Sequence, residues 1–217
     1  MKINLTHKSA QEIKQKFSFF TEENWQTEKA HFNQNLEGIF SAKKDETFIV
    51  VEDEKVHFLI GLGENPQNFE IQASAEKFTY DFRKKLKATN TEINADSFKN
   101  HQIESLVKGL FLGTYEYPFK AEHPIFNADF QLILSNLSEE NLQDLITKTS
   151  AICEGQFACM EWLNKPQNFK RVPHISEFLT EISTQYHFKQ TVFDRKKSEE
   201  IGLGAFLSVN QGSSQEA

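Results

Sequence analysis

Seven histidines and two cysteines are the side chains of this 217-residue chain best suited to metal or nucleophilic chemistry. His7, His31, His57, His101, His123, His174 and His187 stand singly. None forms the HExxH helix motif or a Cys/His pattern with zinc-ligand spacing. No GxSxG nucleophile elbow occurs. Cys153 and Cys159 fall in one apolar helical pattern, where thiols are packed and inert. At ~1.5 Å rise per residue they stand roughly 9 Å apart, beyond the reach of a disulfide, whose Cα atoms lie within about 7 Å. Both therefore read as reduced, which fits a cytoplasmic compartment. The acids form no compact pair that could divide acid and base roles.

Two glycine-bearing stretches suggest phosphate cradles. GLGENP (Gly61–Pro66) follows an expected strand and precedes an expected helix, the right setting for an anion at a helix N-terminus. It lacks the third glycine of GxGxxG and the Lys-Ser/Thr of a P-loop, so a tight turn is the favoured reading. GLGAFLSVNQGS (Gly202–Ser213) precedes an expected strand instead of following one. By residue chemistry alone, no catalytic, metal or cofactor-binding residue is assigned.

The charges are 24 basic against 31 acidic, a formal net charge of −7. That argues against a broad nucleic-acid surface, which needs an excess of Lys and Arg. The basic clusters at 83–85 and 195–197 lie among acids and read as solvated helix ends. No apolar run approaches the ~18 residues of a membrane span. The N-terminus has no apolar stretch of signal-peptide length. A cytoplasmic protein with no membrane or nucleic-acid partner is expected. The 21 phenylalanines predict an aromatic core.

The elements that must position these residues alternate between strand and helix, which points to α/β layers. Residues 2–6 read as a first strand, and a helix is expected through SAQEIKQKF (Ser9–Phe17). Thr47–Val51 and Val56–Leu62 flank a charged turn and predict a hairpin. Pro66 opens a helix whose apolar stripe is Phe69, Ala73, Phe78 and Phe82. A strand at Thr91–Ile93, a helix at His101–Tyr115 and a strand at Phe130–Ser135 follow. Gly109 and Gly113 lie four apart on that helix and predict a close backbone approach, since each costs about 1 kcal/mol against Ala. A long helix capped by Ser138 runs until Pro166 stops it. Beyond it come a helix at His174–Tyr186, a strand at Thr191–Phe193, a helix at Lys196–Ile201 and a strand at Ala205–Val209. This last stretch of about fifty residues is too short for a stable core of its own.

Three segments carry a resemblance. WLNKPQNFKRVPHISEF resembles the LVNEPaNxxtPxxla segment of the leucyl (cytosol) aminopeptidase family, with Asn164, Pro166, Asn168 and Pro173 in matching positions. IGLGAFLSVNQGSSQEA resembles the family's lgMGgllaVgqGS segment, with Gly202, Gly204, Val209, Gln211, Gly212 and Ser213 in place. VKGLFLGTYEYPFK resembles its eGaxLaxYrFdxyk helix end. The matches keep the family's order and span residues 107–213. Two positions depart from it: Met160-Glu161 stands where Arg-Asp is usual, and Leu203 replaces the usual Met.

The resemblance implies a macro-like N-terminal domain at 1–137, with a mixed central sheet flanked by helices. It implies a linking helix at 138–165 and a truncated α/β start of the catalytic domain at 166–217. Family members are two-metal exopeptidases, with Mn or Zn, that release N-terminal amino acids from peptides and assemble as hexamers. The metal-binding segments, of the kinds GKGxxFDxGG and NTDAEGR, do not occur here. This portion is therefore expected to hold no metal, no catalytic residue and no activity by itself, and to serve assembly or access to the active site. Asn164, Pro166, Asn168, Pro173, Gly202, Gly204, Gly212 and Ser213 are then structural and interdomain residues. The alternatives are a macro-like module binding ADP-ribose or a nucleotide through GLGENP, and a catalytically empty structural subunit.

Overall fold

The computed structural model describes residues 3–6, 14–52, 54–83, 86, 90–94, 97–116, 130–134 and 139–213. They form two compact units, Met1–Met160 and Glu161–Ala217. The first is built on a six-stranded mixed sheet. Its strands are β1 (Ile3–Thr6), β2 (Gln15–Thr21), β3 (Thr47–Glu52), β4 (Lys55–Gly63), β5 (Asn90–Asn94) and β6 (Phe130–Leu134). Their spatial order is β1-β6-β5-β2-β4-β3. All pairings are parallel except the β3–β4 hairpin, where Val50 faces His57 and Glu52 faces Lys55.

Both strands of the hairpin and the strands at β1, β5 and β6 agree with the sequence pattern. The segment at Gln15–Phe17 does not. It belongs to β2, not to a helix, and the rest of the expected helix, residues 9–13, lies outside the described residues. Parallel partners on both sides, β4 and β5, take up the backbone groups of β2. Phe17 and Phe19 go to one face of the sheet and Ser18 and Phe20 to the other, so nearly every side chain is buried. A strand buried on both faces shows none of the alternation by which sequence betrays one.

Two layers cover the sheet. On one face lie α2 (Asn68–Phe82), α3 (Asn100–Leu112) and part of α4 (Glu139–Asn164). They bury Phe17, Phe58, Ile60, Phe78, Leu106 and Val107 in the main core. Phe17, Phe58 and Phe78 meet edge to face with ring centroids 5.0–5.5 Å apart, a favoured aromatic geometry. On the other face α1 (Glu22–Glu28) and the following loop cover Phe20, Val50 and Leu59 with Trp25, Leu36 and Phe40. The Trp25 indole donates to the Phe40 carbonyl at 2.9 Å. The predicted stripe on α2 is corrected. Ile71, Ala75 and Phe78 face inward, whereas Phe69 is 72% exposed. Phe69 and Ile71 are two residues apart, about 200° around a helix, so they cannot share a face.

Gly109 and Gly113 do what their spacing predicts. A Cβ on Gly109 would stand 2.2 Å from the Gln72 carbonyl oxygen, and one on Gly113 2.3 Å from that of Glu76. The backbones of α2 and α3 therefore touch. Helix α4 presents Leu145, Thr149, Cys153 and Phe157, four apart, toward this unit. The Ser138 cap expected for it lies outside the described residues.

Beyond α4, the regular structure of the second unit is all helical among the described residues: a short 3-10 turn (Gln167–Phe169), α5 (Val172–Tyr186), α6 (Arg195–Glu200) and α7 (Gly204–Asn210). The helix predicted at His174–Tyr186 is α5 and that at Lys196–Ile201 is α6. The two expected strands are not found. Residues 191–194 have no regular structure, and Ala205–Val209 lies in α7. AFLSV has strand-forming residues, but no sheet edge stands within this unit to take up its backbone groups. A helix satisfies them locally. Among its described residues this unit buries no apolar side chain: Val172, Phe206 and Val209 are 49%, 59% and 85% exposed.

Two outcomes follow from this packing. Gly109→Ala should destabilise the first unit by about 1–3 kcal/mol in urea unfolding, despite Ala's better helix propensity. An unchanged or raised midpoint would contradict the close contact. In hydrogen exchange, the amides of α6 and α7 should exchange at least about 100-fold faster than those of β4, because little burial protects them. Equal protection would show that the second unit has a core.

Candidate functional site

The GLGENP loop was the strongest ligand candidate in the sequence, and the structure accounts for its glycines without a ligand. β4 ends at Gly63 and α2 begins at Asn68. The loop 42–46 crosses against the strand end. The Gly61 amide donates to the Glu46 carbonyl at 2.8 Å, and the Gly63 amide to that of Ala42 at 2.9 Å. A Cβ on Gly61 would lie 2.0 Å from the Lys43 carbonyl oxygen. Gly63 has φ +82°, a left-handed value that glycine adopts without strain. At the start of α2, the Gln67 amide donates to the Glu70 carboxylate at 3.0 Å, and Lys44 donates to that carboxylate at 2.8 Å. The Lys44 hydrogen bond holds the Glu70 carboxyl below its usual range. A protein carboxylate thus occupies the place an anionic ligand would take, and the glycine amides are already bonded.

Among the described residues the histidines do not converge. His57 on β4 bonds Ser18 Oγ on β2 at 2.8 Å, and Phe32 packs against its ring at 5.2 Å. Ser18 is fully buried, so a substrate cannot reach its hydroxyl. Burial, followed by the charge of Lys16, pushes the His57 pKa from 6.5 down to about 4. His174 accepts from the Arg171 amide at 3.3 Å in the first turn of α5, and His31 pairs with Glu28. His101 lies on α3, and His187 ends α5 at φ 56°. His7 and His123 lie outside the described residues. Among the described residues no three His, Cys, Asp or Glu side chains gather to hold a metal ion. Cys153 is buried, and burial pushes its thiol up to about 11. Cys159 is exposed instead of packed, because it lies off the 145–149–153–157 face of α4.

Asn164, Pro166, Asn168, Pro173, Gly202, Gly204, Gly212 and Ser213 all lie in the second unit, and all are exposed. Asn164 is the last residue of α4. Pro166, at φ −58°, opens the 3-10 turn that holds Asn168. The residue before a proline disfavours helix, which ends α4 there. Pro173 sits in the first turn of α5, where its missing N–H leaves no bond unmade. The joint is braced by Lys170, which donates to the Leu163 carbonyl at 3.0 Å, and by Lys165 over the Trp162 ring at 3.8 Å. Gly202 closes α6 at φ +79°. Its amide donates to the Glu199 carbonyl and the Leu203 amide to that of Ser198, the paired bonds of a Schellman end. Gly204 begins α7, Gly212 follows it, and the Ser213 amide donates to the Asn210 carbonyl. Among the described residues nothing lies within 4 Å of a Cβ added to Gly204 or Gly212. The structure thus keeps these residues on one joint and one helix end, without assembling a reactive centre from them.

Sequence patterns missed one arrangement. Glu76 lies half-buried in α2 beside Tyr80, Leu112, Tyr115 and Met160 in a cleft. Three separate segments bring these residues together, so no spacing in the chain announces them.

No family model matches the chain. A probable cytosol aminopeptidase of Sulfurihydrogenibium sp. (strain YO3AOP1) is 25% identical over 165 residues, which cover 71% of this chain and 32% of that protein. One from Bacillus subtilis (strain 168) is 23% identical over 201 residues, 85% of this chain and 40% of that protein. The chain is similar to the N-terminal part of cytosol aminopeptidases. A solved tomato leucine aminopeptidase mutant shares its fold at a TM-score of 0.82 and 16% identity, covering 100% of this chain and 49% of that one. The bottromycin maturation enzyme BotP in complex with Mn does so at a TM-score of 0.70 and 13% identity, over 94% of this chain and 44% of that one. The chain thus spans a third to two fifths of the length of these curated relatives. Among the described residues no helix is long and apolar enough to cross a membrane.

The His57 environment sets a pH dependence. Its folded pKa is depressed, so the unfolded chain binds more protons between about pH 4 and 6.5. Stability should be full above pH 6.5 and fall by on the order of 3 kcal/mol as pH drops to 4. His57→Gln should flatten that part of a urea-midpoint profile, and an unchanged slope would refute the assignment.

Proposed function

We propose that the chain is the N-terminal portion of a metal-dependent aminopeptidase that releases N-terminal residues from peptides in the cytoplasm. Residues 1–137 form its accessory domain, 138–165 its linking helix and 166–217 the beginning of its catalytic domain. The observation that carries this reading is a likeness that extends through the second unit. The fold match to the tomato enzyme covers the whole chain, including the joint at Asn164–Pro173 and the Gly202–Ser213 segment. Two features support it. The second unit leaves its apolar faces exposed, as the first part of a larger domain would. Gly204 and Gly212 answer to no packing among the described residues.

On this reading the 217-residue portion contributes no catalytic group. The two divalent metals, Mn or Zn, bind side chains supplied by the remainder of the parent enzyme, which assembles as a hexamer. This portion shapes assembly or access to the active site. Asn164, Pro166, Asn168 and Pro173 set the turn between the domains.

The test has two arms. The 217-residue chain supplied with Mn²⁺ or Zn²⁺ should release no leucine from leucyl peptides, and metal-dependent turnover would overturn its predicted inactivity. The coding frame of the parent should continue into FDxGG and NTDAEGR segments, and the complete product should show that turnover. A natural stop after codon 217 would overturn the enzyme reading and favour a structural subunit.

A further inference from the structure

A cleft of about 480 Å³ lies between α2 and the end of α3, open to solvent and lined by Glu76, Lys77, Tyr80, Leu112, Tyr115 and Met160. Its walls are aromatic and apolar, and its polar groups are few, the usual make-up of a binding site. Glu76 is the group out of place. It is half-buried and makes no hydrogen bond or ion pair among the described residues. Burial alone raises its carboxyl above the usual range. The neighbouring cations are engaged elsewhere: Lys77 pairs with Asp81, and Arg83 with Glu116 at 3.2 Å. A desolvated carboxylate without a partner is costly, and a cation supplied from outside would offset that cost.

We propose that this cleft takes the guanidinium of an arginine side chain on a basic peptide segment, with Glu76 as counter-ion and Tyr80 and Tyr115 as flanks. Four observations select this occupant. One carboxylate is too few ligands for a metal ion. Arg83 already stands 3.9 Å from the Tyr80 ring centroid, so this ring pairs with a guanidinium on one face, and an incoming guanidinium would take the other face of this exposed side chain. A guanidinium is planar and weakly hydrated, which suits an aromatic-walled cleft better than an ammonium does. The cleft is open, so a bound side chain can stay attached to a backbone outside it, and the net charge of −7 draws basic segments toward the protein. The site is independent of the aminopeptidase reading, because every residue in it belongs to the first unit.

The probe is N-acetyl-arginine N-methylamide, titrated into the ¹⁵N-labelled 217-residue protein, with the uncharged citrulline counterpart as control. Saturable shifts are expected at the Gly113 and Tyr80 amides with a dissociation constant of about 1–10 mM. The citrulline compound should bind at least about fivefold more weakly, since it lacks the charge-assisted bond. Glu76→Gln should weaken the arginine compound by a similar factor and leave the citrulline compound unchanged. Glu76 has no partner among the described residues to lose, so its variant should fold, and unchanged β4 resonances check that. Tyr80→Ala is a second variant on an exposed position and should also weaken the arginine compound. Equal binding of both compounds, unaltered binding by both variants, or no saturable shift by about 50 mM would overturn the proposal.

Discussion

The contact between the backbones of α2 and α3 is the constraint on which the first unit depends. Gly109 and Gly113 bring α3 against the Gln72 and Glu76 carbonyls, closer than any side chain would allow. With the helices that close, their inward side chains reach the same strip of sheet. Phe78 of α2 meets Phe17 and Phe58, and Leu106 and Val107 of α3 join the same core. α4 then closes the layer through Cys153 and Phe157. A methyl group at either glycine would separate the helices and open voids throughout this aromatic packing, where interiors tolerate few.

The groups in the first unit that look capable of chemistry are mostly engaged in holding it together. The glycines of GLGENP accommodate a crossing loop, and Glu70 fills the anion position at the start of α2. His57 is held neutral between Ser18 and Phe32. Cys153 is a small core side chain. Those assignments count against a ligand-binding module built on GLGENP. They agree with the likeness to cytosol aminopeptidases, in which this chain matches only part of each relative.

The second unit shows the limits of local pattern. Its turns were legible, because proline and glycine act through their own backbone geometry. Pro166 ends α4, Pro173 opens α5 and Gly202 closes α6. Its strands were not legible, because β-rich composition specifies a strand only where another strand stands ready to pair. Ala205–Val209 has no such neighbour in this unit and folds as helix. The motif residues were legible by resemblance, but their exposure, and the open space around Gly204 and Gly212 among the described residues, are properties of the fold.

By itself the sequence determined the alternation of strands and helices in the later part of the first unit, the β3–β4 hairpin, the amphipathic α3 and α5, and the four-residue glycine spacing on α3. Each depends on interactions within a few residues, so periodicity and turn chemistry report it. Only the tertiary structure decided which face of α2 is buried, that Gln15–Phe17 is a central strand, and that Cys159 points to solvent. It alone placed Ser18 beside His57, 39 residues apart, and left Glu76 without a partner among the described residues. These features depend on which distant surfaces meet. Burial and charge pairing arise only after the chain has closed, and no residue's neighbours in sequence record them.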